Sequence, residues 1–475
     1  MSTILDSFDR SAHRFPTKTA VITKEKKCTY EELGQFSNSV TTMLSKYPQK
    51  TVVSIIMENS ISAISAYLGI LRSGCIAHLI SQTASEYSIS EQLDSAKPKL
   101  MLGTKSAINK INTSTDKMDF DTAITYCAQE NKRHNNLDDI AYLIYTSGTT
   151  SKPKGVIVNH ANVAFTTQNI IDVLGYTEKD KDVLPLPLSH SFGLGCLHTS
   201  LCIGSTLILH KNTMSPLEIF ESVKEYDATT FAAVPATLTK LLSEHLDELK
   251  EYFSNLRLVI TNSTFIPKET IVGFRQILKK GKLATYYGLT EASRSTFMFF
   301  DSDNRYESVG LPAPDVQIKL TDENGNETND GQIWIKGPNV IKSYWKDTTF
   351  DGMIDGWVRT GDLGYFDNDG YLYLRGRVDD LINVAGEKVN PLEVERVVKL
   401  LADIEDAVVI GIKHEVFGQV VKLFVKKVTN SSITKSNIMA HCIRNLERYK
   451  VPTHIEFVED FPRTEYGKIK RFMLR

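Results

Sequence analysis

One stretch of the chain has the composition of a loop that closes around an anion. Residues 145–155 read YTSGTTSKPKG, and the apolar run before them, residues 140–144, predicts a buried strand. Gly148 and the small hydroxyl side chains beside it leave backbone N–H groups open to a phosphate, and Lys154 adds positive charge. No Gly-Lys-Ser/Thr opens a following helix, so the loop is not of the Walker A type. It favours a polyphosphate ligand, although a plain surface turn has the same composition.

Residues 286–291 (YYGLTE) carry side chains suited to a bound nucleotide. Tyr287 beside Gly288 offers a flat face for a base and close access to the backbone. Glu291 is a hard oxygen ligand of the kind that Mg²⁺ prefers, and Thr290 supplies a hydroxyl for a phosphate oxygen. Alone, the same residues are equally typical of the end of a strand.

Three charged residues nearer the C-terminus complete the set. Asp362, in the glycine-rich run TGDLG, can accept hydrogen bonds from both hydroxyls of a ribose. Arg377 is a fixed cation with a planar fork of donors. Lys468 follows a glycine in the run PRTEYGK, which predicts an exposed turn. Each is individually typical of an ordinary turn or surface residue, and only their joint presence in this order indicates a nucleotide site.

The elements that must position these residues are predicted by hydrophobic patterning. Short apolar runs alternate with helix-like stretches through most of the first 300 residues, which predicts an α/β domain with a largely parallel sheet. The polar segment 104–136 is predicted to be rich in loops. Strand-like runs separated by turns predict a β-rich subdomain over about 308–376.

The end of the chain reads as a smaller α+β unit. Asn390 can cap a helix whose first residue is Pro391, and apolar residues follow at helical spacing. We predict an N-terminal domain over 1–376 and a small mobile C-terminal domain over 377–475. The hinge is placed at 376–380, with Asp379 as the residue that absorbs the rotation.

Length, composition and net charge limit the classes of protein to which the chain can belong. The chain has 475 residues, of which 41% are hydrophobic and 24% charged, and its net charge is -2. These values predict a soluble protein of two or more domains without a nucleic-acid-binding footprint. The six cysteines form no CxxC pair, and no apolar run is long enough to span a bilayer. A reducing, cytoplasmic location is expected.

Taken together, the motifs resemble the adenylate-forming superfamily of acyl- and aryl-CoA synthetases, peptide-synthetase adenylation domains and beetle luciferases. The resemblance rests on the loop at 145–155, YGLTE at 287–291, TGD at 360–362, the hinge motif at 376–380 and the lysine motif at 463–468. Departures are Ser151 where glycine is usual, Gln332 where glutamate is usual, and TNSTF at 261–265 where relatives have SGGAP.

The resemblance implies an ATP-dependent reaction in two steps. A carboxylate attacks the α-phosphate of ATP, giving acyl-AMP and pyrophosphate, and a thiol then takes the acyl group. Lys468 is expected to reach the carboxylate and the α-phosphate, and Glu291 to bind Mg²⁺, with Thr290 and His190 also placed in the catalytic set. The residues expected to contact nucleotide or thiol are Thr146, Ser147, Gly148, Thr149, Thr150, Lys154, Tyr287, Gly288, Asp362, Arg377 and Gly386.

The acid is predicted from residues 186–194 (LPLSHSFGL), which line the acyl pocket in relatives. Amino-acid-activating members carry an aspartate in this region, and none occurs here, which disfavours an α-amino acid. An aryl or medium-length apolar acid is expected, and His190 is interpreted as a packed gate rather than an acid–base. The predicted pocket residues are His190, Phe192, Gly193, Ser263 and Gly288.

Three functions remain open at this point. The first is ligation of the acid to coenzyme A, and the second is loading of the acid onto the phosphopantetheine of an acyl carrier protein. The third is a nucleotide-binding regulatory protein that has lost catalysis, which the presence of both Glu291 and Lys468 disfavours.

Overall fold

The computed structural model describes residues 2–127, 135–146, 154–211, 215–262, 265–301, 305–346, 352–463 and 469–474. The chain divides into two compact units. The first comprises Met1–Tyr306, Gly310–Gln317 and Ile335–Val358, and the second comprises Glu307–Val309, Ile318–Trp334 and Arg359–Arg475. The predicted boundary at 376–380 falls within the second unit, so the hinge assigned to it stays a prediction.

The first unit is built on strands β1 to β15. In chain order they are Thr19–Ile22, Lys27–Thr29, Val52–Met57, Ile76–Ser81, Leu100–Gly103, Asp116–Asp119, Ile140–Thr146, Lys154–Asn159, Lys181–Leu184, Thr206–Leu209, Thr230–Ala232, Leu258–Thr261, Lys282–Leu289, Ala292–Phe299 and Ser308–Pro312.

These strands form mixed sheets whose centres are parallel. One sheet has the order β6-β5-β3-β4-β7-β8, parallel except for the antiparallel β7–β8 pair. Another has the order β15-β14-β13-β12-β11-β9-β10-β1-β2, with a parallel run from β13 to β1. Strand β3 is buried along its whole length, as its apolar sequence predicts. The predicted α/β class is confirmed.

The helices of the first unit lie between these strands in sequence. In chain order α1 to α12 are Ile4–Arg14, Tyr30–Leu44, Ile61–Arg72, Glu86–Ala96, Lys105–Lys110, Phe120–Ile124, His160–Leu174, Ser191–Ile203, Pro216–Glu225, Pro235–Glu244, Leu246–Tyr252 and Lys268–Ile277. Helix α2 begins with a capping box in which Thr29 and Glu32 satisfy each other's backbone N–H groups. The segment 104–136 was expected to be loop-rich, and that prediction is wrong, because α5, β6 and α6 lie within it. Strand β6 is short and half-polar, and its pairing with β5 stabilises it.

The remaining elements are strands β16 to β26 and two helices; β19 belongs to the first unit, and the others lie wholly or mostly in the second. Strands β16 to β26 are Gln317–Thr321, Glu327–Thr328, Asp330–Lys336, Met353–Ile354, Trp357–Phe366, Leu372–Arg377, Ile382–Val384, Glu387–Val389, Ile404–His414, Gly418–Lys427 and His454–Phe457. The helices are α13, Pro391–Val398, and α14, Lys435–Asn445.

A sheet of order β23-β22-β25-β24, with β26 beside β25, packs its apolar face against α13 and α14. The predicted start of α13 is confirmed, because the Asn390 side chain accepts a hydrogen bond from the N–H of Leu392. Val394 and Val398 are then fully buried in the core of this unit. The predicted α+β character of the C-terminal region is therefore confirmed.

Candidate functional site

The ends of the predicted phosphate loop are held by a pair of antiparallel strands. β7 ends at Thr146, whose backbone lies opposite Lys154, the first residue of β8. Ser147, Gly148, Thr149 and Thr150 lie outside the described residues, so their phosphate contacts stay predictions. Lys154 is described, and its Nζ lies 5.3 Å from the centroid of the Tyr344 ring.

Glu291 lies at the tip of a tight hairpin. Strands β13 and β14 pair up to Leu289 and Ala292, which leaves Thr290 and Glu291 as the connection. Oε1 of Glu291 accepts a hydrogen bond of 2.9 Å from the Tyr344 hydroxyl, the same residue whose ring lies beside Lys154. The structure thus brings a carboxylate and a cation from distant parts of the sequence to one tyrosine.

The hairpin explains Gly288 and places Tyr287. A Cβ on Gly288 would come within 2.6 Å of the Arg294 backbone nitrogen and 2.7 Å of the Ala292 carbonyl oxygen, so no larger residue fits. Tyr287 is 7% exposed, and its N–H donates to the Thr296 hydroxyl. Its predicted contact with adenine stays a prediction.

The predicted acyl-pocket residues lie at the start of α8. His190 is the N-cap residue of this helix, and its side chain makes no capping hydrogen bond. Burial lowers the pKa of His190 to about 4, so the imidazole is neutral near pH 7. Phe192 packs edge-on against Tyr286, with ring centroids 5.4 Å apart. A Cβ on Gly193 would lie 2.4 Å from the Pro187 carbonyl oxygen, so this glycine has a packing reason of its own. Ser263 lies outside the described residues.

Arg294, on β14, is a functional candidate that the sequence analysis missed. It is 5% exposed, has φ of 54°, and donates to the Ser191 carbonyl and the Ser293 hydroxyl, both at 2.6 Å. A non-glycine residue at positive φ costs about 1 kcal/mol or more and is enriched at functional sites. The available signal was a lone charge within β14, a strand otherwise made of small, hydroxyl and apolar residues.

In the second unit, Asp362 and Arg377 lie directly opposite each other on β20 and β21. Nη1 of Arg377 donates to Oδ1 of Asp362 at 3.1 Å, and Nη2 lies 3.9 Å from Oδ2 of Asp379. One guanidinium therefore joins the residue predicted to bind ribose to the residue predicted to act as hinge. Gly361 has φ of 76°, and a Cβ there would lie 2.9 Å from Nη2 of Arg377.

Gly386 lies in the tight turn between β22 and β23. It has φ of 96° and follows Ala385, which has φ of 53°. Two successive residues at positive φ are typical of a type I′ hairpin turn, which favours glycine for backbone reasons. Apart from its chain neighbours, no heavy atom of the described residues lies within 4 Å of a Cβ built on Gly386, so the predicted thiol passage is compatible with the turn and stays a prediction.

Lys468 lies outside the described residues, but the backbone on either side of it is anchored. Arg463 and Ile469 form an antiparallel bridge, and the N–H of Lys470 donates to the Pro462 carbonyl at 2.8 Å. Arg471 pairs with Glu395 on α13 at 2.5 Å and 3.0 Å. Burial is the largest influence on the Glu395 carboxyl and raises its pKa, although Arg471 opposes that shift.

The residues present fit a magnesium ion bound together with phosphate. Within the described residues, no group of three or more His, Cys, Asp or Glu side chains is arranged to hold a metal by itself. Mg²⁺ in nucleotide enzymes is usually held by one or two carboxylates, substrate phosphate oxygens and water. Glu291, exposed in part at its hairpin tip, meets that requirement.

Comparison with known proteins decides the family. The model of the AMP-binding enzyme family matches residues 8–345, and the model of the AMP-binding enzyme C-terminal domain matches residues 393–468. The chain belongs to the AMP-binding, adenylate-forming enzymes. It is an AMP-forming ligase of the acyl-CoA synthetase type, as its motifs predicted.

Individual relatives match between about seven tenths and nearly all of the chain. It is 33% identical to the oxalate–CoA ligase of Arabidopsis thaliana, over 71% of this chain and 67% of that protein. It is 30% identical to the 2-succinylbenzoate–CoA ligase of Bacillus velezensis, over 97% of this chain and 95% of that protein.

Solved structures of related enzymes superimpose on nearly the whole chain. ATP-bound MatB from Rhodopseudomonas palustris superimposes with a TM-score of 0.90 at 26% identity, covering 99% of this chain and 98% of MatB. MenE from Bacillus subtilis, with its acyl-adenylate intermediate, gives 0.87 at 26% identity, covering 99% and 97%. Among the helices that the structure describes, none combines the length and apolar character needed to cross a bilayer.

Proposed function

We propose that this adenylate-forming enzyme joins a small carboxylic acid to coenzyme A by way of an acyl-adenylate. The observation that carries the proposal is the arrangement at Tyr344, where Glu291 accepts a hydrogen bond from the hydroxyl and Lys154 lies beside the ring. This arrangement supports metal binding by Glu291 and phosphate binding by Lys154, because both side chains contact one tyrosine and Lys154 lies at one end of the predicted phosphate loop. Charge aimed at a phosphoryl group is the main requirement of this chemistry.

In the first unit, Lys154 and the loop at 146–150 hold the β- and γ-phosphates in this proposal. Glu291 would hold Mg²⁺, which would supply positive charge to offset that of the phosphates. Thr290 supplies a hydroxyl beside Glu291 and Tyr287 packs on the adenine. His190, neutral near pH 7, gates the acid rather than transferring a proton.

In the second unit, Asp362 binds the ribose hydroxyls, and Arg377 holds the Asp362 carboxylate in position. Lys468 reaches the oxygens of the acid and the α-phosphate, which lowers the repulsion between two anions. Because Arg377 also lies near Asp379, rotation at 376–380 changes the surroundings of the ribose site. Such a rotation would withdraw Lys468 and bring Gly386 to the thiol for the second step.

Coenzyme A is proposed as the acceptor because each of the relatives and neighbours cited above whose name states a reaction is a CoA ligase or synthetase. A carrier-protein phosphopantetheine presents the same thiol and is the alternative acceptor. Among the curated relatives, the acids are as different as oxalate, long-chain fatty acids, succinylbenzoate and indoleacetate, so their names do not transfer a substrate. An α-amino acid stays disfavoured, and the aryl or apolar acid stays a prediction.

The test is acid-dependent exchange of pyrophosphate into ATP over a panel of aryl, short, medium and long-chain acids. The acyl product is then identified by mass with either free coenzyme A or a holo-carrier protein as acceptor. Lys468→Ala is expected to suppress exchange by at least about a hundredfold while thiol transfer from pre-made acyl-AMP falls far less. Lys435→Ala, at an exposed position on α14, is the matched control. Equal loss in both steps would contradict the role given to Lys468, and no exchange with any acid would reject the proposed function.

A further inference from the structure

A small cavity with a mixed polar and apolar lining lies in the first unit next to the hairpin that carries Glu291. Its volume is about 20 Å³, and its lining includes Thr290, Arg294, Asn339, Ser191 and His198. The described lining residues include no aspartate or glutamate. The cavity therefore joins the metal-binding end of the site to the start of α8, where the acyl pocket is expected.

Arg294 gives this cavity a positive charge that no described carboxylate neutralises. Its Nη1 donates to the Ser293 hydroxyl and its Nη2 to two backbone carbonyls, and Cζ lies 5.0 Å from the centroid of the Tyr286 ring, while Nε has no hydrogen-bond partner among the described residues. Neutral oxygens satisfy N–H groups without cancelling the charge, and a buried charge is costly unless it is paired. Oδ1 of Asn339, 2% exposed, also has no partner among the described residues.

A second positive element lies beside the guanidinium. Helix α8 begins at Ser191 and runs for 13 residues, and the side chain of its N-cap residue, His190, makes no capping hydrogen bond. The N-terminus of a helix carries a partial positive charge and open N–H groups, both of which favour an anion. His198 is neutral, since burial, and then Arg294, lower its pKa to about 3, so it neither adds to nor cancels the charge of Arg294.

Gly195, on helix α8, leaves space for the Arg294 guanidinium. A Cβ on Gly195 would lie 2.0 Å from Nη2 and 2.6 Å from Cζ of Arg294. An alanine at 195 would therefore displace the guanidinium, even though alanine is a better helix former than glycine. The position of the Arg294 guanidinium therefore depends on glycine at position 195.

We propose that Arg294 recognises a second anionic group on the acid, so that the preferred substrates are dicarboxylic acids. The proposal rests on the proposed function and names the substrate class of that same site. Glu291 and Arg294 are three positions apart along the chain, at most about 10 Å at the rise of an extended strand. That value limits only the separation of the two Cα atoms; because Thr290 and Arg294 both line the cavity, a short carbon chain would join the two carboxylates of the acid.

The experiment compares matched acids by the same exchange assay. Succinate, glutarate, adipate and phthalate are each measured against their monomethyl esters, which keep one carboxylate and the length of the chain. The readout is the ratio of kcat/KM for the diacid to that for its half-ester. The variants are Arg294→Met, Arg294→Lys and Gly195→Ala, and Lys240→Met on the exposed face of α10 is the control. Thermal unfolding shows whether each variant folds.

The expected result is a preference of at least about tenfold for one or more diacids, because a site built to pair a charge rejects the neutral analogue. The preference falls to about one in Arg294→Met and in Gly195→Ala, is partly kept in Arg294→Lys, and is unchanged in Lys240→Met.

Three results would overturn the inference. Exchange by the wild-type enzyme without any diacid preference rejects it and leaves the proposed function standing. Equal losses for diacid and half-ester in Arg294→Met would show that Arg294 contacts the reacting carboxylate or only the fold. No exchange with any acid, including the monocarboxylic panel, rejects the proposed function and this inference with it.

Discussion

The hydroxyl of Tyr344 donates a hydrogen bond of 2.9 Å to Oε1 of Glu291, across 53 residues of sequence. This bond orients the carboxylate that we propose as the magnesium ligand. The ring of the same tyrosine lies 5.3 Å from Nζ of Lys154. Tyr344 thus contacts the Glu291 carboxylate through its hydroxyl and the Lys154 ammonium group through its ring, and we propose that it positions both groups.

Removing that hydroxyl is expected to weaken magnesium use. Tyr344→Phe keeps the ring beside Lys154 and deletes a hydrogen bond to a charged group, worth about 1.5 kcal/mol or roughly tenfold. The magnesium concentration for half-maximal exchange should rise about tenfold while ATP still binds. Tyr87→Phe, at an exposed tyrosine, is the control. An unchanged magnesium requirement would show that the bond does not position Glu291.

The pair of Glu395 and Arg471 is expected to stabilise the segment that carries Lys468. Glu395→Ala leaves Arg471 as a largely buried cation without its partner, at a cost of about 3–5 kcal/mol in the free energy of unfolding. Urea denaturation measures that loss. Glu244→Ala, which breaks an exposed pair with Lys240, should change it by less than about 0.5 kcal/mol.

The same Glu395 substitution bears on catalysis in a specific way. Because Arg471 follows Lys468 by three positions, adenylation should fall more than thiol transfer from pre-made acyl-AMP, at a temperature where the variant remains folded. If both half-reactions decline in proportion, the pair serves the fold of the second unit and not the placement of Lys468.

The buried carboxyl group of Asp182 is expected to make the free energy of unfolding fall as pH rises. Burial raises its pKa from the ordinary value of 3.8 to about 7, with Oδ1 accepting a hydrogen bond from Thr230. Between those values the folded chain keeps a proton that the unfolded chain releases, so this carboxyl's contribution to stability declines across that window. Asp182→Asn should therefore gain stability relative to wild type between about pH 5 and pH 8 in urea denaturation. A difference that is constant with pH would refute this protonation state.

Replacement of His190 is expected to leave the pH dependence of kcat/KM unaltered. Its pKa of about 4 means that it stays neutral through the working range, so it supplies no titrating acid or base there. His190→Asn should change KM for the acid while the shape of kcat/KM between about pH 6 and pH 9 is preserved. His13→Asn, at an exposed histidine, is the comparison. Loss of one limb of the profile would assign His190 a proton-transfer role and reject the gate.

Local features of the fold were predictable because their causes lie within a few residues. The start of α13 follows from Asn390 and Pro391, and the α/β class from alternating apolar runs. The segment 104–136 was mispredicted because its strand, β6, has little apolar character and is stabilised by pairing with β5. Tertiary pairing overrode a weak local signal there.

Some residues of the candidate site were likewise predictable from the sequence, and others were not. Glu291, Asp362 and Arg377 were found from their types and the motifs around them, and the structure brings Asp362 and Arg377 together on paired strands. Tyr344 and Arg294 were missed, since neither belongs to a motif and their roles depend on partners far away in sequence.

The sequence by itself determined the family, the α/β class and the chemical types available for adenylate formation. Short-range rules act there, because caps, turns and motif spacing are properties of neighbouring residues. Only the tertiary structure decided that Arg294 is buried without a described carboxylate and that Gly195 leaves room for its guanidinium. The substrate preference we propose arises from that burial, which no local stretch of sequence can specify.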